Sequence, residues 1–154
     1  MTIDPEAAPS AVPDSPSGAL VAELRFPARP ARLKHVRALV RRSAADCGCD
    51  EMCIHDLVVA VDEASQNILR HAYNGRPGDI VLTIRHHGPM LVVRLIDFAP
   101  PVDVSRIHPR PLDELRPGGL GTHFIREVMD EVCFLPPPPG AGNLLQMTKR
   151  ISPS

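Results

Sequence analysis

The chain has 154 residues, a formal net charge of −1 and only 3% aromatic residues. That length fits one domain with an ordinary core, and neither a basic field nor a stacking platform points to nucleic acid. No apolar run approaches the roughly 20 residues needed to cross a bilayer, and Met1 to Gly18 lacks the basic start and apolar middle of a signal peptide, so no membrane and a cytoplasmic setting are expected.

Residues 1–18 are rich in Pro, Ser and Ala, with Asp4, Glu6 and Asp14 among them. They are too poor in large apolar groups to fold, and a disordered arm is expected ahead of one domain over 19–152. Leu20, Ala22, Leu24 and Phe26 alternate as in a strand. Pro30 to Asp46 reads as an Arg-rich amphipathic helix with Leu33, Val36, Leu39 and Val40 inward, and Gly48 ends it. A second helix is expected from about Asp50 to Tyr73, closed by Asn74-Gly75. Ile54, Leu57, Val61, Ala64, Ile68 and Ala72 form its apolar stripe.

Beside that stripe Glu63, Asn67 and His71 recur every fourth residue, a polar line along the helix. At 3.6 residues per turn Asn67 lies roughly 100° from the centre of the stripe, at the edge of the core. A carboxylate and a carboxamide held there can offer a base and an oxygen ligand to a bound ion or phosphate.

Ile80 to His87 and Leu91 to Phe98 read as two strands of a hairpin turning at Gly88-Pro89. A Pro-rich irregular stretch, Ala99 to Gly121, leads to a third helix from about Leu120 to Glu131. Cys133 to Leu135 and Leu144 to Ile151 are two further strands around a Pro-rich turn. The expected class is α+β: a two-layer α/β sandwich with a mixed, mostly antiparallel sheet and helices on one face.

Two more features carry chemistry. Arg116-Pro117-Gly118-Gly119-Leu120-Gly121-Thr122 lets the backbone approach a ligand and runs into a helix N-terminus, which favours phosphate. It is neither a Walker motif, lacking Gly-Lys-Ser/Thr, nor a dinucleotide fingerprint, since no strand precedes it; a plain loop-to-helix turn is the bland alternative. Asp97 closes an apolar strand and can accept from an exocyclic amine in a cleft, or simply cap the next turn in solvent.

Taken together these features resemble the ATP-binding domain of the GHKL superfamily, the Bergerat fold of gyrase, Hsp90, MutL and histidine kinases. Within it the chain is most similar to the bacterial anti-sigma-factor serine kinases, over about residues 20–151. Glu63-Ala64-Ser65-Gln66-Asn67 matches the N box, with His71 where these kinases carry a His, and Gly119-Leu120-Gly121 followed by Met129-Asp130-Glu131-Val132 matches the G2 box and the helix after it. The resemblance implies ATP and Mg²⁺ as cofactors, with Asn67 as the Mg²⁺ ligand, Asp97 accepting from the adenine amine, and Glu63 as general base. It also implies that Gly118, Gly119, Leu120, Gly121 and Thr122 form the phosphate lid, joined by Arg116, with His71 beside the nucleotide.

One departure stands out: the G1 box of the family, Asp-x-Gly-x-Gly, reads Asp97-Phe98-Ala99-Pro100-Pro101. Both glycines are replaced, which bears on nucleotide affinity and turnover. Cys47, Cys49 and Cys53 with His55 also raise a Cys₃His zinc site, against the simpler reading of reduced thiols. The resulting expectation is a serine/threonine kinase that phosphorylates an anti-sigma-factor antagonist protein and switches partners with a sigma factor, as a homodimer. A nucleotide-dependent sequestering module without transfer, and the detached ATP-binding part of a two-component histidine kinase, are the alternatives.

Overall fold

The computed structural model describes residues 18–100 and 119–151. The arm, apart from Gly18, lies outside them, as do Pro101, Arg116 and Gly118. Five strands form one sheet: β1 (Ala19–Pro27), β2 (Asp79–His87), β3 (Met90–Asp97), β4 (Glu131–Leu135) and β5 (Asn143–Arg150). Their order is β1-β2-β3-β5-β4, and every pairing is antiparallel. Among the described strands the parallel component of the expected mixed sheet is therefore missing.

Connectivity explains this. β2 and β3 are joined by the two-residue turn Gly88-Pro89, with Gly88 at φ +58°, the positive φ that such a tight hairpin requires at its first position. Between β1 and β2 run two helices, α1 (Leu33–Asp46) and α2 (Glu51–Asn67). A helical pair returns the chain to the end it left, so Phe26 near the close of β1 faces Ile80 near the start of β2.

The helices pack α1 on α2 and α2 on α3 (Gly119–Val128). One core cluster joins Phe26, Leu82, Ile84, Val93, Leu95 and Met147 of the sheet to Val36, Val40, Leu57, Val61, Ala64 and Ile125 of the helices. Most of the α2 stripe expected from the sequence is buried, and Ala72 at its end is half-buried. No helix among the described residues is long and apolar enough to cross a membrane.

Three boundaries differ from the sequence pattern. Pro30–Arg32 form a single 3₁₀ turn, and α1 begins only at Leu33. α2 does not continue as an α-helix to Tyr73: after Asn67 the chain widens into one π turn, Ile68–Ala72, whose wider register is closed by Tyr73 N–H on the Ile68 carbonyl at 2.9 Å. α3 stops at Val128 rather than Glu131. Lys149 Nζ donates to the Val128 carbonyl at 2.6 Å, and Asp130 N–H turns to Thr148 O at 2.9 Å, so the chain enters β4 instead of another helical turn.

Candidate functional site

The last residue of β3 is Asp97, only 3% exposed. Its Oδ1 accepts from Ala99 N–H at 3.0 Å and from Asn143 Nδ2 at 2.9 Å, and its carbonyl accepts from Gly142 N–H at 2.8 Å. Asn143 Nδ2 also reaches Pro100 O at 3.3 Å. Burial pushes the Asp97 carboxyl above its ordinary range, while Asn143 and the Ala99 N–H pull in the opposite direction by favouring the carboxylate. Of the two sequence alternatives, the solvated strand-end Asp fails. Asp97 does cap the next turn, but from inside the protein.

This turn also explains how the altered G1 segment is accommodated at its first position. Ala99 keeps the N–H that Asp97 uses, its side chain is buried, and it is not among the positive-φ residues, of which Asn74 is the one non-glycine among those described. The close approach is made by Gly142 instead: a Cβ there would overlap the carbonyl oxygen of Ala99. The second altered position, Pro101, lies outside the described residues.

Tyr73 connects the Asp97 turn to the helix that carries the N box. Its hydroxyl donates to Asp79 O at 2.6 Å and accepts from Phe98 N–H at 2.8 Å, so one buried oxygen pins the start of β2 and the residue after Asp97. Burial raises the phenol above its ordinary range, partly opposed by the Phe98 N–H. Phe98 itself is exposed and lies under the Arg25 guanidinium, 4.9 Å from the ring centroid, while Arg25 Nε pairs with Asp79 at 2.8 Å. The end of α2 and the end of β3 are thereby held against each other.

The other end of the site is a helix surface. Glu63 and Asn67 are half-buried on α2, one turn or about 6 Å of rise apart. Arg37 of α1 pairs with Asp62 Oδ1 at 2.9 Å, Asp62 Oδ2 accepts from Gln66 Nε2 at 2.8 Å, and Gln66 Oε1 accepts from Arg70 at 3.2 Å. Arg70 also reaches Asn67 Oδ1 at 3.4 Å. His71 is exposed within the π turn, whose wider coil takes it off the line that Glu63 and Asn67 would share with it on a regular α-helix.

Gly119, Leu120, Gly121 and Thr122 form the first turn of α3, so these residues open the helix rather than precede it. α3 lies along α2, and Lys149 secures the pair by joining Val128 O to Asp56 at 3.1 Å. Arg116 and Gly118 lie outside the described residues. Sequence reasoning missed Tyr73, Asn143, Gly142 and Lys149; only Tyr73, adjacent to the N-box helix and the lone tyrosine, carried any signal of its own. Cys47, Cys49 and Cys53 are free thiols, and no group of three or more Cys, His, Asp or Glu among the described residues is arranged to hold a metal ion.

Comparison with known proteins bears on this geometry. A family model described as the histidine kinase-like ATPase domain matches residues 26–149. The serine-protein kinase RsbW of Oceanobacillus iheyensis is 31% identical over 119 residues, 71% of this chain and 75% of that protein. The same-named kinase of Listeria innocua is 31% identical over 118 residues, again 71% and 75%. That of Bacillus cereus is 26% identical over 137 residues, 84% of each. A crystal structure of the RsbU and RsbW domains of a Mycobacterium tuberculosis protein superposes with a TM-score of 0.59 at 20% identity, covering 86% of this chain and 33% of that one. At that identity the likeness speaks to fold.

Proposed function

The chain belongs to the histidine kinase-like ATPase domain family, and from that membership we propose that it is an ATP-dependent serine-protein kinase of the anti-sigma type. It transfers the γ-phosphoryl group of ATP to a serine on an anti-sigma-factor antagonist protein and switches partners between that antagonist and a sigma factor. It acts in the cytoplasm, as a homodimer. The observation that carries the reading is the 31% identity to a serine-protein kinase over 71% of the chain. The buried Asp97 turn supports it, because it meets the requirement of an adenine pocket.

The residues present fit the nucleotide. Both donors to the Asp97 side chain among the described residues go to Oδ1, and Oδ2 is the proposed acceptor for the exocyclic amine. Asn67 offers an amide oxygen, the hard donor that Mg²⁺ prefers, and Arg70 is one of the groups that reach it, at 3.4 Å. When bound, Mg·ATP supplies the transferable phosphoryl group and neutralises its charge. Glu63, one turn before Asn67, takes the proton of the attacking serine hydroxyl. The first turn of α3, with Gly119 and Gly121, presents backbone N–H groups to the phosphates. Nucleotide contacts by Arg116, Gly118, Leu120, Thr122 and His71 are part of the same proposal.

The test uses labelled ATP, Mg²⁺ and a purified antagonist protein. The expected result is label on the antagonist, lost in Glu63→Ala while ATP still binds. ATP binding with no transfer to any candidate antagonist would leave the sequestering module as the better description. Unchanged Mg·ATP affinity in Asn67→Ala would remove the metal assignment.

A further inference from the structure

Three of the four cysteines meet at the corner between α1 and α2, at the opposite end of α2 from Asn67. Cys47 is the C-cap of α1, and Gly48 follows it with φ +94°. Cys49 N–H donates back to the Ala44 carbonyl at 3.1 Å, and the next residue, Asp50, caps α2 by accepting from Cys53 N–H at 2.9 Å. These two hydrogen bonds fix both ends of the span from Cys49 to Cys53. They place one thiol just before the helix cap and another in its first turn, with both packed against the same edge of the core. Both thiols pack against the edge of the core yet remain part-exposed, so a small reagent can reach them.

We propose that Cys49 and Cys53 form a redox-active dithiol, closing to an intramolecular disulfide by exchange with a low-molecular-weight disulfide. The exchange balances without a further reagent. Cys53, as thiolate, attacks one sulfur of the small disulfide; the S–S bond breaks, a mixed disulfide forms, and one small thiolate leaves. Cys49 then loses its proton, attacks the Cys53 sulfur and expels the second small thiol. Two protein thiols are oxidised, and one disulfide is reduced to two thiols.

The order of attack follows from the corner itself. Burial, then the neighbouring Cys53, pushes the Cys49 thiol up to about 12, which makes Cys49 a poor first nucleophile. Burial and the neighbouring Asp46 also raise the Cys47 thiol. Cys133 stands apart on β4.

The experiment equilibrates the full chain with glutathione buffers of rising oxidised fraction, quenches with acid, and cleaves after Glu51, which lies between the two cysteines. Apart from any glutathione carried at Cys133, the expected product is two hydrogens lighter than the reduced chain. Its fragments on either side of Glu51 stay joined until reductant is added. Cys53→Ser should abolish the joined species while leaving glutathione addition at Cys133 unchanged. Free thiols at both positions, separate glutathione adducts on each, or joined fragments persisting in Cys49→Ser through Cys47 would each overturn the proposal.

Discussion

The turn around Asp97 and the helix end around Asn67 are held in different ways. Asp97 is buried, and its neighbours Ala99, Gly142 and Asn143 are fixed by short hydrogen bonds inside the protein. Asn67 is half-buried, and among its contacts is a long one of 3.4 Å from the exposed Arg70. Buried hydrogen bonds are costly to leave unmade, whereas exposed ones contribute little. On the proposed function, the adenine end is therefore preformed as part of the fold, and the metal end is the more adjustable of the two.

Substitutions can break or sharpen this contrast, with the stability of the nucleotide-free chain as the scale. Gly142→Ala should have the largest effect. A Cβ overlapping the Ala99 carbonyl forces apart two backbone segments, a cost of about 1–3 kcal/mol or more; denaturant melts should show it, with ATP affinity falling in parallel. Tyr73→Phe comes next, leaving Asp79 O and Phe98 N–H without their shared partner, at about 1–3 kcal/mol in the same melts.

Asp97→Asn should separate stability from binding. Because burial raises the Asp97 carboxyl in the folded chain, its ionised form disfavours the fold above that raised value. The disadvantage shrinks as pH falls through the folded value toward 3.8. The asparagine variant should thus melt at or above the wild type at neutral pH, with the gap closing on acidification. Its side-chain NH₂ would face the adenine amine, donor against donor, and ATP affinity by calorimetry should drop at least tenfold, about 1.4 kcal/mol. Smallest is Asn67→Ala, within about 0.5 kcal/mol of wild type in stability, while the Mg²⁺ dependence of ATP binding is lost. A large stability loss in Asn67→Ala, or none in Gly142→Ala, would erase the contrast.

What the sequence made legible follows the same division. The α2 stripe and the alternation of β2 and β3 are periodic, and periodicity survives without tertiary knowledge. Glu63 and Asn67 were visible because a helix converts spacing into a shared face. Asn143 and Gly142 were not, since they meet Asp97 and Ala99 across strand pairing more than 40 residues distant in the chain. The loss of glycine at position 99 looked more disruptive in the sequence than in the structure, because the glycine that permits close approach belongs to the opposite segment. The early stop of α3 was hidden likewise, resting on Lys149 from the far end of the chain.

The π turn after Asn67 has a consequence for how the two ends are phased. A turn closed by Tyr73 on Ile68 holds one residue more than an α turn needs. Wound as a regular α-helix, the same residues would carry Tyr73 about 100° further round the axis relative to Asn67. The hydroxyl that clasps Phe98 would swing away from it. That surplus residue acts as a spacer: on the proposed function, it sets the angle at which the metal end meets the adenine end.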